Sequence, residues 1–110
     1  AGEMTLAQIN ALLNTTGYPV TYSHFKEVPT IPYITYLEVG ANYGGADLKV
    51  LTKDVDIDIE LYTAIKDLTA EEKIEKVLID NNIPFQKTTT YINTEELFQI
   101  TYSVNFFEKL

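Results

Sequence analysis

Between Lys53 and Thr63 the chain reads K-D-V-D-I-D-I-E-L-Y-T, a pattern that few backbones can accommodate. Val55, Ile57, Ile59 and Leu61 alternate strictly with Asp54, Asp56, Asp58 and Glu60. In a strand, successive side chains leave opposite faces, so this segment has one apolar face and one carboxylate face. A helix would scatter both sets around its axis, and branched Val and Ile favour extended backbone. The segment is predicted to be a central antiparallel strand buried on one side only. Glu96 to Phe107 is a second such strand: Phe98, Ile100, Tyr102, Val104 and Phe106 share one face, and Gln99, Thr101, Ser103 and Asn105 the other.

Two helices can cover the apolar side. Thr5 opens the first and forms a capping box with Gln8; Leu6, Ile9, Leu12 and Leu13 make its apolar stripe. Gly17 stops it and Pro19 prevents resumption. The second is expected to open at Thr69, boxed by Glu72, with Glu71 and Glu72 at the positive end of its dipole. Ile74, Val77 and Leu78 are its buried stripe, Glu72–Lys76 a supporting pair, and Asn81-Asn82 with Pro84 its end.

The remaining segments are extended or turning. Val20 to Phe25 reads as a weak edge strand, and two prolines make Lys26 to Pro32 extended and irregular. Tyr33 to Val39 is a strand, and Gly40 to Asp47, with three glycines, is expected to be the most flexible segment, a long mobile hairpin tip. Leu48 to Tyr62 resumes extended structure, Thr63 to Leu68 turns, Phe85 to Ile92 is a strand, and Asn93 to Glu95 turns into the last one. The order α-β-β-β-α-β-β, dominated by hairpins, predicts an α+β fold. An antiparallel or mixed sheet of four to five strands carries two helices on one face.

At 110 residues the chain fits one domain, taken as 4–110, with Ala1-Gly2-Glu3 before Met4 read as a cloning remnant. It has no cysteine, hence no disulfide framework or thiolate metal site, and a reducing cytoplasm is its expected setting. No apolar run approaches the roughly 20 residues of a membrane helix. Sixteen acidic residues against eight lysines and no arginine give a net charge of −8. Without arginine, and with its lysines dispersed, the chain is not expected to read nucleic-acid sequence.

Four candidate sites can be weighed. His24 is the only histidine, and strand alternation would set it and Ser23 on opposite faces, so no dyad is expected there. Asp54, Asp56, Asp58 and Glu60 stand roughly 6.5–7 Å apart along one face. That spacing suits a pair of glycosidase acids or half a calcium site, but no EF-hand loop accompanies it. A solvated face explains the row most simply, and an inter-subunit or lumen-facing surface is the main alternative. The Gly40–Asp47 loop lacks the Gly-Lys-Ser/Thr of a phosphate loop and precedes no helix, which leaves an interaction loop. Eight tyrosines and no tryptophan suit half-buried positions in core, surface or interface.

The order of segments, with Gly17-Tyr18-Pro19-Val20, Tyr22, His24-Phe25 and Pro32-Tyr33-Ile34-Thr35-Tyr36-Leu37, resembles the tail-completion (tail-terminator, head–tail joining) proteins of long-tailed phages and prophages. Asn42-Tyr43-Gly44-Gly45-Ala46-Asp47, Glu60-Leu61-Tyr62-Thr63, Lys66-Asp67, Glu72-Lys73-Ile74-Glu75, Tyr91-Ile92 and Tyr102 extend the resemblance over nearly the whole chain from Met4. It implies a structural, non-enzymatic α+β protomer without a cofactor, monomeric when free and a ring, hexameric in such proteins, in the virion. The implied partners are the major tail protein and the head connector or head-completion protein. The implied places are the head-proximal end of the tail and, during assembly, the host cytoplasm. Gly40, Asn42, Tyr43, Gly44, Gly45 and Asp47, with Asp54, Asp56, Asp58 and Glu60, are then candidates for subunit or tube contacts. An acidic lumen would let DNA pass without sticking. The rival readings are an acidic inhibitor that mimics DNA and, third, a small hydrolase using Asp56 and Asp58.

Overall fold

The computed structural model describes residues 4–45 and 50–109. Along the chain come α1 (Leu6–Asn14), β1 (Val20–Tyr22), β2 (Tyr33–Gly44), β3 (Thr52–Thr63), α2 (Leu68–Asp80), β4 (Phe85–Ile92) and β5 (Leu97–Lys109). The five strands form one sheet in the order β1-β2-β3-β5-β4. β1 lies parallel to β2 and every other pair is antiparallel, so the sheet is mixed and the fold is α+β, in the element order expected.

β3 is the middle strand, paired along its whole length with β2 on one side and β5 on the other. Its apolar residues Val55, Ile57, Ile59 and Leu61 are at most 1% exposed. They pack with Ile100, Tyr102, Val104 and Phe106 of β5, with Ile9 and Leu13 of α1, and with Ile74 and Leu78 of α2 in one cluster. This inner face is the one the helices cover. α1 begins as expected: the Thr5 hydroxyl accepts from the Gln8 amide, and the Gln8 side chain accepts from the Thr5 amide. It is tied to the sheet where Asn10 donates to the Tyr36 hydroxyl at 3.0 Å. Gly17 follows with φ 86, a left-handed position that suits glycine.

Three expectations need correction. β2 does not end at Val39 but continues to Gly44, so Gly40, Asn42, Tyr43 and Gly44 belong to a strand rather than to a loop. Gly40, Asn42 and Gly44 pair with Asp56, Asp54 and Thr52, and a bulge between Glu38 and Gly40 absorbs one extra residue. The long partner strand overrides the weak strand propensity of glycine. The expected tip at Asp47, like the supposed remnant Ala1–Glu3, lies outside the described residues.

Second, α2 is capped by Asp67, whose carboxylate accepts from the Ala70 amide at 3.0 Å, and not by Thr69. The buried residues of α2 are Ala70, Glu71, Ile74 and Leu78. Third, Lys76 pairs with Asp80 at 2.9 Å rather than with Glu72. Both pairings are one helical turn, and the one toward the C-terminus prevails.

Candidate functional site

The outer face of the sheet, opposite the helices, carries the carboxylate row. The register sets Asp56 against Asn105 and Asp58 against Ser103. Asn105 donates to Asp56 and Ser103 to Asp58, each at 2.9 Å, so both of these acids are held by neutral cross-strand donors. Asp54 stands exposed beside Asn42. An open cleft of about 660 Å³ on this part of the sheet is lined by Val39, Asp56, Asp58, Gln86, Ser103 and Asn105, among others. Among the described residues no group of three histidine or acidic side chains is arranged to hold a metal ion. The row therefore offers a line of oriented acceptors on a broad surface.

Glu60 differs from the other three. The irregular segment after β1 folds over this corner, with Phe25 edge-on to Tyr33 at 5.5 Å and Tyr33 stacked on Tyr62 at 4.9 Å. Glu60 accepts from Tyr62 at 3.2 Å and from the Gln99 amide. Burial raises its carboxyl above the ordinary glutamate value, with the Asp58 charge adding to the effect and the Tyr62 bond opposing it. Burial and the Glu60 charge push the Tyr62 phenol up to about 12. A raised carboxyl means the charged form is disfavoured by folding. The resulting penalty is full above the folded-state value and absent below the unfolded one. Glu60→Gln, which keeps an acceptor, is thus expected to stabilise the protein at pH 7 by less than about 1 kcal/mol. Melting scans from pH 7 to pH 4 should show the gain vanish toward acid.

The other candidates fall at separate places. Tyr43 is exposed at the distal end of β2, with Lys53 above its ring at 5.7 Å; Lys53 also pairs with Glu38 at 3.3 Å. Gly45 follows the strand end and is exposed. Of the tyrosines, Tyr33, Tyr36 and Tyr102 are buried, whereas Tyr22, Tyr43 and Tyr91 are exposed. Ser23 and His24 do meet, with Ser23 Oγ 3.2 Å from His24 Nδ1, against the expectation of opposite faces. β1 ends at Tyr22 and Ser23 has φ 65, so strand alternation does not reach the pair. Both side chains are exposed.

One charged cluster was not anticipated. Glu71 of α2 is 1% exposed and is met by Lys66 at 2.9 Å and by Lys87 of β4 at 2.5 Å. Lys87 also reaches Glu75 at 2.8 Å, and the Tyr102 hydroxyl donates to Glu75 at 2.8 Å. Burial alone would raise the Glu71 carboxyl, but the two lysines outweigh it and hold the group below the usual value. The cluster fastens α2 to β4 beneath the sheet edge. The signal in the sequence was spacing: Glu71, Ile74 and Leu78 stand three and four residues apart and so share one helix face.

No protein-family model matches this chain, and no curated protein does. Among solved structures, a chain from the virion of the native gene transfer agent (GTA) particle superimposes with a TM-score of 0.56 at 14% identity. The match spans 94% of this chain and 86% of that one. The two chains share a fold over nearly their full lengths.

Proposed function

We propose that this chain is a structural protein of a phage-type virion. It completes the tail by capping the tube as a ring and joining it to the head connector. The observation that carries the reading is the shared fold, nearly end to end, with a chain that is part of the gene transfer agent virion. The resemblance of its segments to tail-completion proteins narrows that reading to the head-proximal end of the tail. The role is architectural rather than catalytic. The protein works with copies of itself, with the major tail protein and with the head-completion protein, and it passes through the host cytoplasm before assembly.

The outer sheet face fits this role. Facing a lumen, Asp54, Asp56 and Asp58 would repel the phosphates of passing DNA. The same acids serve a DNA mimic poorly, because the acids of α2 lie on the opposite side of the sheet and are partly consumed. Glu71 is buried between two lysines, and Asp80 pairs with Lys76.

The test is to add gold-labelled protein to tail tubes assembled without it and to image them by electron microscopy. Label confined to one end of each tube, with those tubes becoming able to join filled heads, is the expected result. Absence of end binding at any protein concentration would defeat the reading.

A further inference from the structure

Among the described residues, β4 and the distal half of β2 are two unpaired backbone edges that face opposite ways. The pairings fix which groups point outward. Ile34 donates to Pro19 and Ser23 donates to Tyr36, so even-numbered residues in the first half of β2 turn toward β1. Antiparallel strands alternate between residues bonded to one neighbour and residues turned to the other. Odd residues of β2 therefore meet Asp58 and Glu60 of β3, and odd residues of β3 face β5. Tyr102 and Val104 then turn to β3, and Ser103 and Thr101 turn to Gln86 and Thr88 of β4. Lys87, Thr89 and Tyr91 are left with their N–H and C=O groups directed out of the sheet. Phe107 checks the alternation: its carbonyl points to the β4 side, where Met4 donates to it at 3.3 Å.

At the other margin β1 covers only Ile34 to Tyr36 of β2. Past the bulge, Gly40, Asn42 and Gly44 face β3, which leaves Ala41 and Tyr43 directed outward. Among the described residues no further strand pairs with either margin. Proteins usually blunt such edges with proline, bulges or outward charge. The β2 margin carries one such device, the bulge between Glu38 and Gly40. By contrast, β4 keeps an unbroken register, contains no proline, and has its one charged side chain, Lys87, drawn inward to Glu71 and Glu75.

We infer that β4 of one copy pairs with the distal half of β2 of the next, continuing the sheet from subunit to subunit. β4 runs antiparallel to β2 within the sheet. A neighbour rotated about an axis near the strand direction therefore presents the antiparallel pairing, the more stable kind. Such a head-to-tail contact generates a ring when the rotation closes. β4 and the free half of β2 lie at different heights, so the strands tilt against the ring axis as in a closed barrel. Every copy then turns its carboxylate row the same way. This inference rests on the ring reading above and names its interface.

The chain has no cysteine, which makes pairing easy to read. Asn42→Cys and Thr88→Cys proteins are mixed at high concentration and also on tail-tube ends, under mild oxidation. Disulfides between the two variants, with few within either, are the expected result. Thr88-to-Thr88 linkage would overturn the inference in favour of a symmetric edge pair, and absence of mixed linkage would overturn it outright. Mixed linkage without tube binding would uphold the edge pairing while defeating the tail reading. Tube binding without mixed linkage would do the reverse.

Thr89→Pro is the second variant. It removes an outward N–H and leaves the β4–β5 ladder intact, so melting should stay near wild type while ring assembly falls at least about tenfold. Wild-type assembly by a folded Thr89→Pro protein would contradict the inference.

Discussion

Replacing Ile59 with alanine is expected to lower the free energy of unfolding by about 3–5 kcal/mol, the upper range for truncating a buried isoleucine. Ile59 is fully buried on the central strand, with Tyr36 and Tyr102 opposite it on either side. Strands paired on both sides cannot collapse into the space left behind, so the cavity cost adds to the lost burial. A domain of this size has a total stability on the order of 5–15 kcal/mol, and the loss should appear as a fall in Tm of roughly 12 °C or more. Urea unfolding should show a lower midpoint with an unchanged slope. Asp58→Ala, one residue earlier on the outer face, should change stability by no more than about 0.5 kcal/mol. The contrast between neighbours is the direct test of which face is the core.

The second large effect is expected at Lys87. Lys87→Met keeps an apolar stem near Tyr102 but leaves the buried Glu71 carboxylate with Lys66 alone, and Lys66 is half exposed. Breaking a buried pair from one side costs about 3–5 kcal/mol, and the remaining lysine brings the expectation here to about 2–4 kcal/mol. Because the folded-state carboxyl of Glu71 is depressed, its contribution is complete above the ordinary glutamate value. It is lost as pH falls through the lower folded value. The cost of Lys87→Met should accordingly be greatest at neutral pH and shrink in acid. Combining Lys87→Met with Glu71→Gln should cost less than the two separate losses added together, since the second change removes the charge the first one stranded. Simple additivity would mean that the two residues are not energetically linked.

The layout of the fold was legible wherever a period of two ran long enough. Val55 to Leu61 and Phe98 to Phe106 declared both faces of the sheet, and Thr5 with Gln8 declared a helix start. What stayed hidden depends on partners far along the chain. Gly40 and Gly44 read as breakers until Asp56 and Thr52 are set beside them. Asp67 and Thr69 are both good caps, and the contact that identifies the first, the Ala70 amide on the Asp67 carboxylate, is a matter of geometry rather than residue type. Glu71 read as a first-turn acid, because no local pattern shows that Lys66 and Lys87 converge on it. The carboxylate row was visible as a row, whereas its division into Asp56–Asn105, Asp58–Ser103 and a half-buried Glu60 follows from β-strand register. The open edges were invisible in the sequence, since they are defined by the strands that do not pair.

The most direct measurement is to delete the coding sequence from the genome that carries it and to image the particles the cells then release. The account predicts filled heads and separate tails, with joined particles restored by supplying the wild-type chain. Joined, DNA-filled particles in normal yield without the chain would contradict it.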